Sequence, residues 1–183
     1  MLQLAQIRTA RLLLRPPTEA DADDIVRYCS DFDIAKMITP MPHPYARSDA
    51  TGWIAHVQAT PTEIQFAVTL AGQLIGACGY ELKPEAASAV FGYWIGRPFW
   101  GHGYATEVAR ALVKSGFEQL GVAQLSIGHM ADNPASKNVI LKCGFVPNGR
   151  CEGFSVARQA NVTLLTYAIS RIQAKALPWY QAA

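Results

Sequence analysis

The segment Trp100-Gly101-His102-Gly103-Tyr104-Ala105-Thr106 is where residue types and spacing first suggest chemistry. It joins a strand-like run ending near Gly96 to a helical pattern that begins at once. A glycine turn in that place exposes the first backbone N–H groups of the helix. Those donors, with the positive end of the helix dipole, favour a phosphate or pyrophosphate. Gly101 and Gly103 keep side chains out of the way of an anion approaching the backbone. The same pattern also suits an ordinary glycine loop into a helix, so the turn alone leaves both readings open. Two nucleotide motifs fit poorly. A Walker loop needs Lys-Ser or Lys-Thr directly after its last glycine, and the next lysine here is Lys114. A Rossmann fingerprint needs a third glycine or alanine where this chain has Thr106, and a parallel unit where this chain has an antiparallel meander.

A second polar cluster follows the next strand. Asn133-Pro134 supplies an N-cap and an N1 proline for a short helix that carries Ser136 and Asn138. Cys29, Cys78, Cys143 and Cys151 are scattered, with no CxxC pair and no histidine at zinc-finger spacing. Neither a metal site nor a disulfide framework is expected, and packed, reduced thiols are the simple reading.

These residues need elements to hold them. Residues 11–15, RLLLR, read as a strand, and Thr18 caps a helix with Ala22, Ile25, Val26 and Cys29 on one face. Residues 38–48 hold three prolines and read as a loop before a helix over about 48–59. The runs IQFAVTL and QLIGACGY flank Ala71-Gly72, a hairpin signal, and residues 88–96 complete an antiparallel meander. Ala105, Val108, Ala109, Leu112, Val113, Phe117 and Leu120 recur at three- and four-residue spacing, which predicts a long helix from about 103 to Gly121. A strand over 123–130, the short helix ending at Gly144 and a closing strand pair complete the order. The fold class is α/β (α+β): one domain over 1–183, core about 8–170, with a mixed, mostly antiparallel central sheet flanked by helices.

Composition narrows the partners. Half of the 183 residues are hydrophobic and 16% are charged, and the formal net charge is only +2. That is globular, and too weakly basic to point to nucleic acid or an anionic membrane. The start has no apolar stretch with a small-residue cleavage site, and no run reaches the roughly 18 apolar residues of a membrane span. A cytoplasmic protein is expected.

RPFWGHGYATEVARALVKSGFEQLGV followed by DNPASKNVILKCGFVPNGR resembles the acetyl-CoA-binding core of the GNAT N-acetyltransferase superfamily, in its RimJ/RimL-type branch. RTARLLLRPPTEADADDI is similar to that branch's first strand and helix, and FGYWIG to its fourth strand. The resemblance covers about residues 8–170. It implies acetyl-CoA as cofactor, with the pyrophosphate on the backbone of Gly101, His102, Gly103, Tyr104, Ala105 and Thr106. It also implies pantetheine along the strand that ends at Ile95 and beside Asn133 and Asn138. Trp100 stands where the family has glutamine or arginine, which leaves the backbone to hold the anion. His102 reads either as a cofactor contact or as an exposed loop histidine, and Glu107 as a structural carboxylate at a helix N-terminus.

Catalysis of amine acetylation needs a neutral amine, a polarised thioester carbonyl and a proton for the departing thiolate. The tyrosine that many relatives use as acid corresponds to Ile140. The branch instead places a serine earlier, here Ser136, which reads either as the assisting hydroxyl or as a helix-terminal serine bonded to backbone. The glutamate that some relatives use as base corresponds to Val90, leaving Glu81, His129 and Glu152 as titratable candidates. Phe32, Pro40 to Tyr45 and Phe154 lie in loops the family uses around its acceptor. The resemblance implies direct acetyl transfer to a primary amine, either a small molecule or a peptide. The alternative is a non-catalytic acyl-CoA-binding or regulatory module of the same fold. Exposed strand edges and the tail ALPWYQAA are the features that would support a homodimer.

Overall fold

The computed structural model describes residues 6–182. Residues 1–5 and 183, which the expected 1–183 domain includes, lie outside the described residues. The strands are β1 (Ile7–Arg8), β2 (Leu12–Arg15), β3 (Glu63–Leu70), β4 (Gln73–Lys83), β5 (Ser88–Ile95), β6 (Gln124–Met130), β7 (Val146–Ser155) and β8 (Ala160–Ser170). They form one 8-stranded sheet in the order β1-β2-β3-β4-β5-β6-β8-β7. The hairpin expected at Ala71-Gly72 joins β3 to β4, and both turn residues have positive φ, 48° and 88°. That backbone matches the twist of the strands it connects.

The sheet is antiparallel except between β5 and β6, which run parallel and pair over Ser88–Val90 and Gln124–Ser126. A parallel pair needs a crossover connection. Here it is α4 (Tyr104–Glu118), whose Val108, Ala109, Leu112, Val113 and Phe117 are buried, as their spacing predicts. α4 and α5 (Pro134–Lys142) pack on one face of the sheet, and the apolar core joins Leu112, Phe117 and Ile140 to Phe66, Phe91 and Leu125. α1 (Ala22–Cys29), α2 (Phe32–Ala35) and α3 (Arg47–Ala59) cover the other face, where Ile25, Ile34 and Ile54 pack with Ala67 and Leu74. β4 is buried without interruption from Leu74 to Tyr80 because helices cover both of its faces.

Several small elements were not read from the sequence. β1 and α2 are too short for any periodicity. The tail forms α6 (Arg171–Lys175) and α7 (Pro178–Gln181), with Tyr180 buried.

One polar contact sets α4 against the sheet. The Tyr80 hydroxyl, fully buried on β4, donates to the Leu112 carbonyl and lies 2.6 Å from the Ser115 hydroxyl. Replacing Tyr80 with Phe removes these bonds and leaves the Ser115 hydroxyl without its closest partner. The expected loss is about 1 kcal/mol of unfolding free energy, read as a lower urea midpoint. An unchanged midpoint would mean that the hydroxyl does not help seat the helix.

Candidate functional site

The site begins with a strand that loses its neighbour. In an antiparallel pair, opposite residues alternate between bonding each other and turning their N–H and C=O groups away. Gly96 N–H donates to the Ile75 carbonyl at 2.8 Å, and the β4–β5 register continues through Ile95 and Tyr93 without a shift. Trp94 and Gly92 therefore commit their backbone groups to β4. Tyr93 and Ile95 turn theirs toward β6, which has already parted from β5 beyond Val90. Between the two strands opens a cleft of about 1610 Å³.

The glycine turn closes one end of this cleft. Gly101 and Gly103 have φ values of 80° and 82°, the left-handed region that favours glycine. A Cβ added at Gly101 would meet nothing within 4 Å, and one at Gly103 only Arg11 Nη2 at 3.6 Å. Backbone conformation, rather than crowding, is what calls for glycine here. The first backbone bond of α4 runs from Glu107 N–H to the Gly103 carbonyl at 3.1 Å. The N–H groups of Tyr104, Ala105 and Thr106 accordingly have no helical acceptor, and all three residues line the cleft.

Trp100 has a role that its departure from the family pattern did not suggest. Its Nε1–H donates to the Ile95 carbonyl at 2.6 Å, tying the turn to the end of β5 and leaving the Ile95 N–H open. His102 does not line the cleft, unlike its neighbours in the turn. Its Nδ1–H donates to the Trp100 carbonyl at 2.9 Å, and its ring stacks on Tyr104 at a centroid distance of 5.8 Å. Of the two readings of this histidine, the exposed loop position is the one its side chain occupies.

Glu107 has the structural role read from its position, in a form that sequence spacing could not reveal. Its carboxylate accepts from the Thr9 hydroxyl at 2.6 Å, the Arg11 backbone N–H at 2.9 Å and Arg11 Nε at 2.7 Å. Arg11 also donates to the His102 carbonyl at 3.0 Å and lies over the Tyr104 ring at 4.4 Å. A residue of the β1–β2 turn thus clasps the glycine turn from outside. Partial burial opposes ionisation of Glu107, but the donors from Thr9 and Arg11 outweigh it and hold its carboxyl below the usual range.

At the start of α5, Asn133 Oδ1 accepts the Ser136 N–H at 3.0 Å, the N-cap bond expected from Asn133-Pro134. The amide nitrogen of Asn133 is free of that duty. Ser136 Oγ lies 3.2 Å from the Tyr93 hydroxyl, so its partner is a side chain across the cleft rather than helix backbone. Burial pushes the Tyr93 hydroxyl up to about 12, with the Ser136 bond opposing. Asn133, Ser136 and the exposed Asn138 all line the cleft. Ile140 is buried in the core beneath the helix, where a hydroxyl would not face the cleft. Cys143 is also fully buried, and desolvation raises its thiol to about 11. An inert packed thiol follows.

The three candidate bases separate. Glu152 lies on β7, bonded to the Thr163 hydroxyl at 2.8 Å, and does not line the cleft. His129 lines the cleft but is buried. Its Nδ1–H donates to the Met130 carbonyl at 2.8 Å, and its Nε2 lies 3.3 Å from the Tyr167 hydroxyl. Glu81 lines the cleft, is paired with Lys83, and stands directly opposite Val90 in the register. Of the loop residues, Pro40, Met41, Pro42 and Tyr45 line the cleft, whereas Phe32 and Phe154 are exposed outside it.

Known proteins share both the sequence pattern and the fold. The model of the acetyltransferase (GNAT) domain matches residues 11–146. The uncharacterized N-acetyltransferase p20 of Bacillus licheniformis is 25% identical over 166 residues, 88% of this chain and 93% of its own. Mycobacterium smegmatis RimJ, solved with a CoA-disulfide, superposes with a TM-score of 0.80 at 20% identity, covering 94% of this chain and 88% of that one. The microcin C7 self-immunity acetyltransferase MccE, solved with acetyl-CoA and AMP, gives 0.80 at 18% identity, with 92% and 98% covered.

The clasp at Glu107 has a pH signature. A depressed folded-state carboxyl contributes stability above its unfolded value, about 4.3, and that contribution fades as pH falls through the folded value. The difference in unfolding free energy between wild type and Glu107→Gln should be largest near neutrality and shrink on acidification to roughly pH 3. Urea melts at several pH values measure it. A difference that does not change with pH would mean that the carboxylate charge is not what holds the clasp.

Proposed function

Because this chain belongs to the GNAT acetyltransferase domain family, we propose that it is an N-acetyltransferase that moves an acetyl group from acetyl-CoA directly to a primary amine, with no covalent enzyme intermediate. The observation that carries this reading is the junction of two sets of open backbone donors in one cleft. The N–H groups of residues 104–106 would hold a pyrophosphate at one end, and the outward groups of Tyr93 and the Ile95 N–H would face a pantetheine arm. The backbone N–H groups of Gly101 and Gly103 extend the first set, and the side chains of Asn133 and Asn138 flank the second from α5. Acetyl-CoA supplies the activated acetyl thioester when bound.

The chain's own residues then have separable tasks. The turn binds through backbone, held in shape by Trp100 from inside and Arg11 with Glu107 from outside. Ser136 Oγ–H stands ready to donate a hydrogen bond to a developing thiolate and to relay a proton to it. Tyr93 orients that hydroxyl from the opposite wall. Among the described residues no helix is long and apolar enough to cross a membrane, and a cytoplasmic setting is part of the proposal. So is a single functional domain over 1–183. The alternative, a module that binds acyl-CoA without chemistry, draws on Ile140 and Val90: the buried Ile140 takes no hydroxyl from the cleft, whereas Val90 lines it without a titratable group.

Two variants and one titration test the reading. Calorimetric titration should show acetyl-CoA binding to wild type and to Ser136→Ala alike, while NADPH and ATP do not compete. Thiol release with a responsive amine should fall in kcat by roughly 10²-fold for Ser136→Ala, and less for Tyr93→Phe, with KM for acetyl-CoA unchanged. Gly103→Val should instead weaken acetyl-CoA binding by distorting the turn. Tight binding with no amine ever acetylated would favour the non-catalytic module, and no binding by folded protein would remove the proposal.

A further inference from the structure

The cleft continues onto the other face of the sheet, and its walls there are unlike those on the α4–α5 side. Even-numbered β5 residues face α1–α3, so Trp94, Gly92 and their register partners Ala77 and Gly79 share that surface. One transverse row across β3, β4 and β5 reads Gln65, Gly79, Gly92. Gly128, which also lines the cleft, stands on β6 across the gap that opens beyond the Val90–Ser126 pair. Of these, Gly92 is the one that leaves a bare peptide plane in the floor of the cleft.

The glycines differ in what they accommodate. A Cβ at Gly79 would fall 2.2 Å from Gln65 Oε1, so the Gln65 side chain lies across that position. A Cβ at Gly92 would meet nothing within 4 Å. Gly92 has no positive φ to explain it either, so its missing side chain simply leaves open volume above β5. Trp94 and Trp53 form partly buried walls, and Met37, Met41 and Tyr45 line the far side.

Charge and enclosure complete the description. Lys36, Asp33, Glu81 and Asp132, charged side chains that line this face, are already engaged. Lys36 Nζ pairs with Asp33 at 2.5 Å, Glu81 pairs with Lys83, and Asp132 pairs with Arg158 at 2.7 Å. Asp49 accepts the Ala46 N–H at 2.7 Å in the cap of α3. Lys36, the lining cation on this face, is therefore paired, and Lys142, which also lines the cleft, belongs to α5 on the opposite face. The segment after α2 is also tied across the chamber to the β7–β8 turn. Arg158 Nε donates to the Lys36 carbonyl at 2.7 Å and Val156 N–H to the Thr39 carbonyl at 2.9 Å. That strap suits a compact ligand better than an extended chain.

We propose that the acceptor is a small, otherwise uncharged aryl or arylalkyl primary amine, its ring lying over the bare Gly92 position between Trp53 and Trp94, with the Gln65 amide at its edge. A flat ring fits the open volume that the missing Gly92 side chain leaves above β5. Indole walls add edge and face contacts, and the methionines add sulfur–aromatic contacts. Gln65 offers one neutral amide to a polar ring substituent. The assignment rests on the acetyltransferase reading above.

Thiol release from acetyl-CoA is measured with 2-phenylethylamine, n-butylamine, ethanolamine and a tetrapeptide with a free N-terminus. The expected result is a kcat/KM for 2-phenylethylamine at least about tenfold above n-butylamine, a discrimination of the size an apolar pocket gives. Trp94→Ala should bring that ratio down toward one while acetyl-CoA affinity stays unchanged. Gly92→Leu, which fills the open volume, should raise KM for 2-phenylethylamine several-fold with acetyl-CoA binding retained. Preferred turnover of the aliphatic amines or of the peptide would overturn the acceptor assignment and leave the acetyltransferase reading standing. Turnover of no amine, with acetyl-CoA bound, would defeat both.

Discussion

The rest of the structure depends on the parting of β5 and β6. Backbone N–H and C=O groups are obligatory hydrogen-bonding groups, and a sheet normally pairs them from edge to edge. Here two central strands pair over three residues each and then diverge, so the outward groups of Tyr93 and Ile95 have no strand to meet. The cost of such an opening in the middle of a sheet is limited by what surrounds it. Trp100 takes the Ile95 carbonyl, and β4 holds β5 along its full length on the other side. What stays open is a short row of donors and acceptors beside a helix N-terminus, a combination that suits a ligand with amides at one end and phosphates at the other.

The crossover explains why the two features meet. A parallel β5–β6 pair requires α4 to return over the sheet, and the only place for the helix to begin is just past the end of β5. The anion-binding turn is therefore delivered to the mouth of the gap by the same topology that creates the gap. Tyr80 fixes the helix to β4, and Arg11 with Glu107 fixes the turn to the first hairpin. Each contact links elements remote in sequence, so the cleft is held open by a frame rather than by local stiffness.

That remoteness marks the limit of what the sequence made legible. α4 was readable because its apolar positions recur with helical spacing, and the β3–β4 hairpin because Ala71-Gly72 sits between alternating runs. Asn133-Pro134 announced α5 through local capping chemistry. Arg11 and Glu107, 96 positions apart, show no such pattern, nor do Tyr93 and Ser136, 43 apart. The burial of Ile140 likewise depends on how α5 rolls against the sheet. The pairing of Gly79 with Gly92 becomes visible only when the register aligns their strands. The tail helices escaped because elements of four or five residues carry too little periodicity to register.

An account built on open backbone groups is best tested at those groups. Amide hydrogen exchange on the full chain, with and without saturating acetyl-CoA, reads them one by one. The account expects slower exchange at the Tyr93 and Ile95 amides and across residues 101–106, with the β3–β4 hairpin unchanged. Protection confined to other parts of the surface, with those amides exchanging as before, would contradict it.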